Sequence, residues 1–120
     1  MEDPVPVLDV ENLTRLRELG EDPEGLAELI QRYLASIAPQ LAHMRELLAA
    51  GNAEALEHEA HGLSGSSAMY GLPRVSRSSR ALMARAQSRN LEGAEALLDE
   101  VARAFEEARP RLLAELSIPE

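Results

Sequence analysis

The sequence predicts an all-α fold, an antiparallel up-down-up-down four-helix bundle with a short additional N-terminal helix. Three observations predict it. Ala, Leu, Glu and Arg, all good helix formers, dominate the chain, while β-branched residues and aromatics are too sparse for a sheet. Apolar residues recur at steps of three and four. The breaks between these stretches are short, and short connections make long amphipathic helices antiparallel neighbours.

The first helix starts at Asp9, an N-cap with Leu8 before it and Leu13 beyond it as a hydrophobic staple. It stops near Gly20. The second begins at Asp22-Pro23, a cap followed by proline at the first helical position. Leu26, Ile30, Tyr33, Ile37, Leu41, Met44 and Leu48 form its buried stripe, Pro39 bends it, and Gly51-Asn52 ends it and caps the next helix. The third runs from about Ala53 to Tyr70, with Leu56, Ala60, Leu63 and Ser67 inward, and Gly71-Leu72-Pro73 is the turn. The fourth continues to about Ser88 with Val75, Ser79, Leu82 and Ala86 inward. The fifth runs from about Leu91 toward Leu116 through Ala94, Leu98, Val101, Phe105 and Leu112, and Pro110 kinks or interrupts it. Residues 8–116 then make one domain, with flexible ends at 1–7 and 117–120.

Composition excludes several functions. The 120 residues carry 12 Lys+Arg against 21 Asp+Glu, a net charge of −9, and only Tyr33, Tyr70 and Phe105 are aromatic. An acidic chain without stacking platforms is a poor nucleic-acid binder. The absence of cysteine removes disulfides, thiolate metal sites and a thiol nucleophile, and fits the cytoplasm. The first ten residues have no apolar signal core, and no apolar run is long enough for a membrane span. Every basic residue is Arg.

Charge is unevenly placed. No acid occurs between Ala60 and Leu91, where Arg74, Arg77, Arg80, Arg85 and Arg89 give +5; the remainder, seven Arg against all 21 acids, carries −14. The plainer explanation is a solvated Arg-rich face, and the sharper one is a site for anionic groups. His43 reads as a surface or boundary residue of the second helix. His61 falls roughly 120° from the inward centre of the third helix and points outward. Its neighbours three, four and seven residues on are Ser64, Gly65 and Ala68, all small. Gly62 and Gly65 lie mid-helix, where each glycine costs on the order of 1 kcal/mol relative to alanine. Such a surface fits close approach of another body to the histidine; tight helix packing is the competing explanation. A neutral imidazole is a usable nucleophile. No Ser–His or carboxylate pair completes a hydrolytic site around it, so the chain reads as an acceptor rather than an enzyme.

His61-Gly62-Leu63-Ser64-Gly65-Ser66-Ser67-Ala68-Met69-Tyr70-Gly71 resembles the signature of histidine-containing phosphotransfer (HPt) domains. That pattern is His, any residue, Leu, usually Lys, Gly, then small residues and a later Gly. The likeness extends over roughly Leu8 to Leu116. It implies a phosphorelay intermediate of two-component signalling, with His61 taking a phosphoryl group from a receiver-domain aspartate, or from a histidine kinase in some members, and passing it to another receiver. It implies Ser64, Gly65 and Ala68 around the acceptor, and His58, Gly62, Met69, Arg74, Arg77 and Arg80 as receiver-docking residues. The partners are response-regulator receivers or a hybrid histidine kinase, with no nucleic acid, membrane or small-molecule substrate. No cofactor is implied for the chain itself, because Mg²⁺ and the acidic pocket belong to the receiver. Two positions depart from the pattern. Ser64 stands where the family usually has the Lys that steadies the phosphoryl group, which leaves Arg74, Arg77 or Arg80 to contribute. Met83 stands where a polar residue of the next helix often touches the histidine.

Other assignments compete. His58 and His61, three apart on a helix, with Glu54 or Glu57 could share a metal, but the spacing is not the zincin pattern. His58 as the acceptor lacks Leu and Gly at the matching offsets. The alternative of another class is a helical interaction or dimerisation module without phosphate chemistry.

Overall fold

The computed structural model describes residues 4–19 and 22–118, and among these the chain forms five α-helices and no strand. They are α1 (Val10–Glu18), α2 (Pro23–Ala49), α3 (Ala53–Met69), α4 (Pro73–Gln87) and α5 (Ala94–Glu115). One device starts three of them. The side-chain oxygens of Asp9, Asp22 and Asn52 accept from the amides of Asn12, Gly25 and Ala55, satisfying donors that a helix start leaves free. The stop expected at Gly20 lies outside the described residues.

Two expectations are corrected. α5 begins at Ala94, not Leu91, because the chain turns twice after α4, with positive φ at Arg89 (64°) and Gly93 (80°). Pro110 does not interrupt α5, and α2 likewise continues through Pro39. Both prolines are exposed, so the carbonyl that each deprives of an amide partner can turn to water.

α3 packs mainly on α4, α4 on α5, and α2 on both α3 and α5, so the four longer helices contact one another in a closed ring; α1 packs on α2. The core takes Leu26, Ile30, Ile37 and Met44 from α2, Leu56, Ala60 and Leu63 from α3, Val75, Leu82 and Ala86 from α4, and Leu98, Val101, Phe105 and Leu112 from α5. Leu34, outside the expected stripe, is buried as well. Serines line the α3–α4 contact: Ser64, Ser67, Ser76 and Ser79 are all buried. Short side chains there let the two backbones approach, and most hydroxyls are satisfied locally. Ser67 donates to the Leu63 carbonyl (2.6 Å) and Ser76 to the Ser64 carbonyl (2.8 Å). The Ser79 hydroxyl is buried without a partner.

Among the described residues, docking extends further toward both ends than expected. Val7 and Ile118, both assigned to flexible ends, are buried. Arg74 Nε donates to the Val5 carbonyl (2.8 Å), and the Ile118 amide closes on the Leu113 carbonyl (2.8 Å). No helix among the described residues is long and apolar enough to cross a membrane.

α1 is tied to the C-terminal end of α3. Gly71 ends α3 in a left-handed conformation (φ 77°), with the Leu72 amide bonding back to the Ser67 carbonyl (2.8 Å). The Asp9 amide donates to the Gly71 carbonyl (3.0 Å), and Asn12 Nδ2 donates to the carbonyls of Ala68 (2.9 Å) and Met69 (2.6 Å). An amide from α1 thus caps carbonyls that α3 leaves unpaired.

Candidate functional site

α3 has two unlike faces. Leu56, Ala60, Leu63 and Ser67 are buried as expected, whereas His58, His61, Gly62, Gly65, Ala68 and Met69 are exposed. A Cβ added at Gly62 or Gly65 meets nothing within 4 Å. Neither glycine is therefore required by packing inside the chain, and tight helix contact no longer explains them. Each weakens α3 on the order of 1 kcal/mol relative to alanine without an internal return. Met69, a large apolar side chain 52% exposed, continues this surface toward α1. Ser64 departs from the sequence reading. It is buried on the α4 side, and its hydroxyl donates to the His61 carbonyl (2.7 Å) rather than lining the open surface.

The His61 ring is exposed on its α3 turn, and its Nδ1 lies 3.2 Å from Met83 Sδ of α4. The family resemblance implies that a residue of the next helix at the Met83 position touches the histidine, and the structure brings the two together. An open depression of about 720 Å³ adjoins the ring, lined by Glu54, Glu57, His58 and Arg89 among others. Arg89, left-handed just beyond α4, reaches across to pair with Glu57 (3.2 Å) and so fastens the α4–α5 link to α3. Among the described residues no three His, Asp or Glu side chains gather as a metal-ligand set. His43 is elsewhere, exposed on α2 with Nδ1 3.9 Å from Glu46.

The arginines separate by position. Arg74 is half-buried at the start of α4, nine residues before Met83, which is roughly 13 Å of helix. Its guanidinium is held by Glu107 of α5 (2.6 Å) and the Val5 carbonyl. Arg74 therefore ties three segments together and is not brought beside His61. Arg80 is exposed, one turn before Met83, and donates to Ser76 Oγ (3.0 Å). Ser76 in turn donates to the Ser64 carbonyl, so Arg80 is anchored over the turn of α3 that carries His61. Arg77 is exposed on the same helix. The sequence marked Arg80 only as one of a strip. Ser76 gave no signal, because a serine amid polar residues carries none.

The other flank of α3 faces α2. Tyr33 and Tyr70 stack with centroids 4.2 Å apart, and the Tyr33 hydroxyl lies 3.2 Å from Ser66 Oγ. Burial pushes the Tyr33 phenol above its usual range, against the opposing effect of the Ser66 hydrogen bond. This pair fixes α3 from behind and leaves the histidine face uncovered.

The family model for the Hpt domain matches residues 28–113. The fold superposes on the crystal structure of histidine-containing phosphotransfer protein B (HptB) from Pseudomonas aeruginosa PAO1 with a TM-score of 0.86 and 28% identity, covering 93% of this chain and 96% of that one. No curated protein sequence matches.

Proposed function

The chain belongs to the Hpt domain family, and from that premise we propose that His61 is its phosphoryl acceptor. The chain is a phosphorelay intermediate of two-component signalling. The class without phosphate chemistry, a bare helical interaction module, is thereby set aside. The observation that carries the residue assignment is the surface around His61. An exposed imidazole stands beside two helical glycines with open space above both, and nothing inside the chain accounts for that arrangement.

In this assignment the chain acts as a carrier and the receiver supplies Mg²⁺ and the acidic pocket. A ring nitrogen of His61 attacks phosphorus, the N–P bond forms, and the P–O bond to the donor aspartate breaks as its carboxylate leaves. The next receiver's carboxylate reverses the exchange. Such transfer needs the two groups in line and close, and a bulky side chain at residue 62, 65 or 68 would hold the receiver away. Gly62, Gly65, Ala68 and Met69 form the contact surface, His58 borders it, and Arg77 and Arg80 meet the receiver's acids. Ser64 serves from behind, through its bond to the His61 carbonyl. Arg80 is the cation we assign to the role that the family gives Lys, since Ser76 anchors it over the Ser64 turn. Arg74 is withdrawn from docking because Glu107 and the N-terminal segment occupy it. The antiparallel up-down-up-down arrangement of α2 to α5, with α1 as the additional helix, is supported by the closed ring of helix contacts. A cytoplasmic location accords with partners of this class.

The test is transfer from a phosphorylated receiver. The chain is expected to take an acid-labile, base-stable label, and His61→Gln to lose it with unchanged helicity. A label that survives the substitution would move the acceptor to His58 or His43.

A further inference from the structure

Two arginines near His61 are held in different ways. Arg80 is anchored by a serine hydroxyl, whereas Arg89 is held by a carboxylate, with its Nη1 3.2 Å from Glu57 Oε1. Glu57 precedes His61 by one helical turn, about 6 Å along α3. Side chains on a helix lean toward its N-terminus, so the His61 ring lies over the turn that carries Glu57. Both side chains line the same open depression, and among the described residues Arg89 is the one arginine in its wall. The backbone does not ask for an arginine there. The chain leaves α4 through Arg89 with φ 64°, a conformation that suits glycine and costs a larger residue. The ion pair is a weak return, because Arg89 is 55% exposed and salt screens such contacts.

A phosphoryl group on His61 changes the competition for that guanidinium. It brings about two negative charges and three acceptor oxygens to a place one turn from the Glu57 carboxylate. The two anions repel, and the phosphoryl group offers arginine more charge and a bidentate contact. Resting on the assignment of His61 as acceptor, we propose that Arg89 is a second phosphoryl-binding residue, stored on Glu57 while His61 is bare and passed to the phosphoryl group once it arrives. The ion pair is then a clasp that phosphorylation opens. Before transfer, Glu57 and Arg89 cancel each other and fasten the α4–α5 link to α3. After it, the guanidinium moves one turn along α3, the new charge is partly neutralised, and the Glu57 carboxylate is left bare. The two forms of the chain present different charges beside the same histidine, which gives donor and acceptor receivers something to tell apart. Arg80, bonded to a hydroxyl, has no such exchange to make.

The full chain, ¹⁵N-labelled at arginine, is phosphorylated with phosphoramidate, so that no receiver enters. A ring nitrogen of His61 bonds to phosphorus, the donor's P–N bond breaks, and ammonia leaves. The parent is compared with Arg89→Asn, Glu57→Gln and the double variant; asparagine suits the left-handed backbone, and circular dichroism checks the fold. On phosphorylation the Arg89 Nε–H signal, identified by its loss in Arg89→Asn, is expected to shift, while that of Arg45, paired with Asp99 of α5, stays in place. Labelling should slow roughly threefold in Arg89→Asn and quicken roughly threefold in Glu57→Gln, the scale of an exposed charge contact, and the double variant should match Arg89→Asn. An ion pair that serves only the fold responds in the same direction to loss of either partner. Single variants that move the rate the same way, a gain from Glu57→Gln that persists without Arg89, or an Arg89 signal unmoved by phosphorylation overturns the proposal. The label is located first. On another histidine it brings down the acceptor assignment, and this proposal with it; on His61 the assignment stands whatever Arg89 does.

Discussion

Three glycines lie within ten residues, two in the body of α3 and one just past its end, and they are there for opposite reasons. Gly71 is buried, its φ is 77°, and an added Cβ would come within 3.1 Å of both the Asp9 carbonyl oxygen and Leu13. Only glycine lets the turn close against α1. Gly62 and Gly65 sit in regular helix with open space where a Cβ would be. The fold asks for Gly71 and is indifferent to the other two. What a residue costs the chain with no internal gain points outward, to a body that must come close.

The comparison breaks most visibly at Gly65. Gly65→Arg should leave the circular dichroism and melting curve of the parent intact while transfer from a phosphorylated receiver drops about a hundredfold or more. Transfer at the parent rate would mean that the bare surface serves nothing. Gly71→Ala should do the reverse. The left-handed backbone and the crowding against Leu13 should cost about 1–3 kcal/mol in a denaturant titration. Transfer by the folded fraction should be preserved.

Arg74 and Arg80 carry the same contrast onto α4. Arg74→Ala removes the tie to Glu107 and Val5 and should lower stability by about 1 kcal/mol, with the relay rate and its salt dependence unchanged. Arg80→Ala should barely move stability, yet slow transfer roughly threefold to tenfold and flatten its dependence on ionic strength. If the two variants behave alike, their separation by structure has no functional meaning. The smallest effect belongs to Gly62→Ala, which should raise stability by up to about 1 kcal/mol, since a helical alanine replaces a glycine with nothing to collide with.

The helix starts were legible because capping is local: Asp9, Asp22 and Asn52 each bond an amide three residues away. The outward direction of His61 was legible from periodicity, whereas its contact with Met83 was expected only from the family resemblance, in which a residue of the next helix touches the histidine. The start of α5 was not. The leucine pattern pointed to Leu91, whereas the left-handed turns at Arg89 and Gly93 delay the helix, and a positive φ at an arginine leaves no mark in sequence. Nor was the fate of Arg74 legible, because its partners stand 69 and 33 residues away. The burial of Ser64 and Ser76 was hidden for a different reason. Close approach of α3 and α4 buries short polar side chains that bond backbone carbonyls, and hydropathy alone assigns such residues to the surface. The docked ends went unread because Val7 and Ile118 are single apolar residues outside any periodic stretch.

The most direct measurement is localisation of the phosphoryl group itself. The chain is phosphorylated by a receiver, kept alkaline so that the phosphoramidate bond survives, and fragmented by electron transfer in a mass spectrometer. The added mass should fall on His61 and on neither of the other histidines. A phosphoryl group found on His58 or His43 would contradict the account.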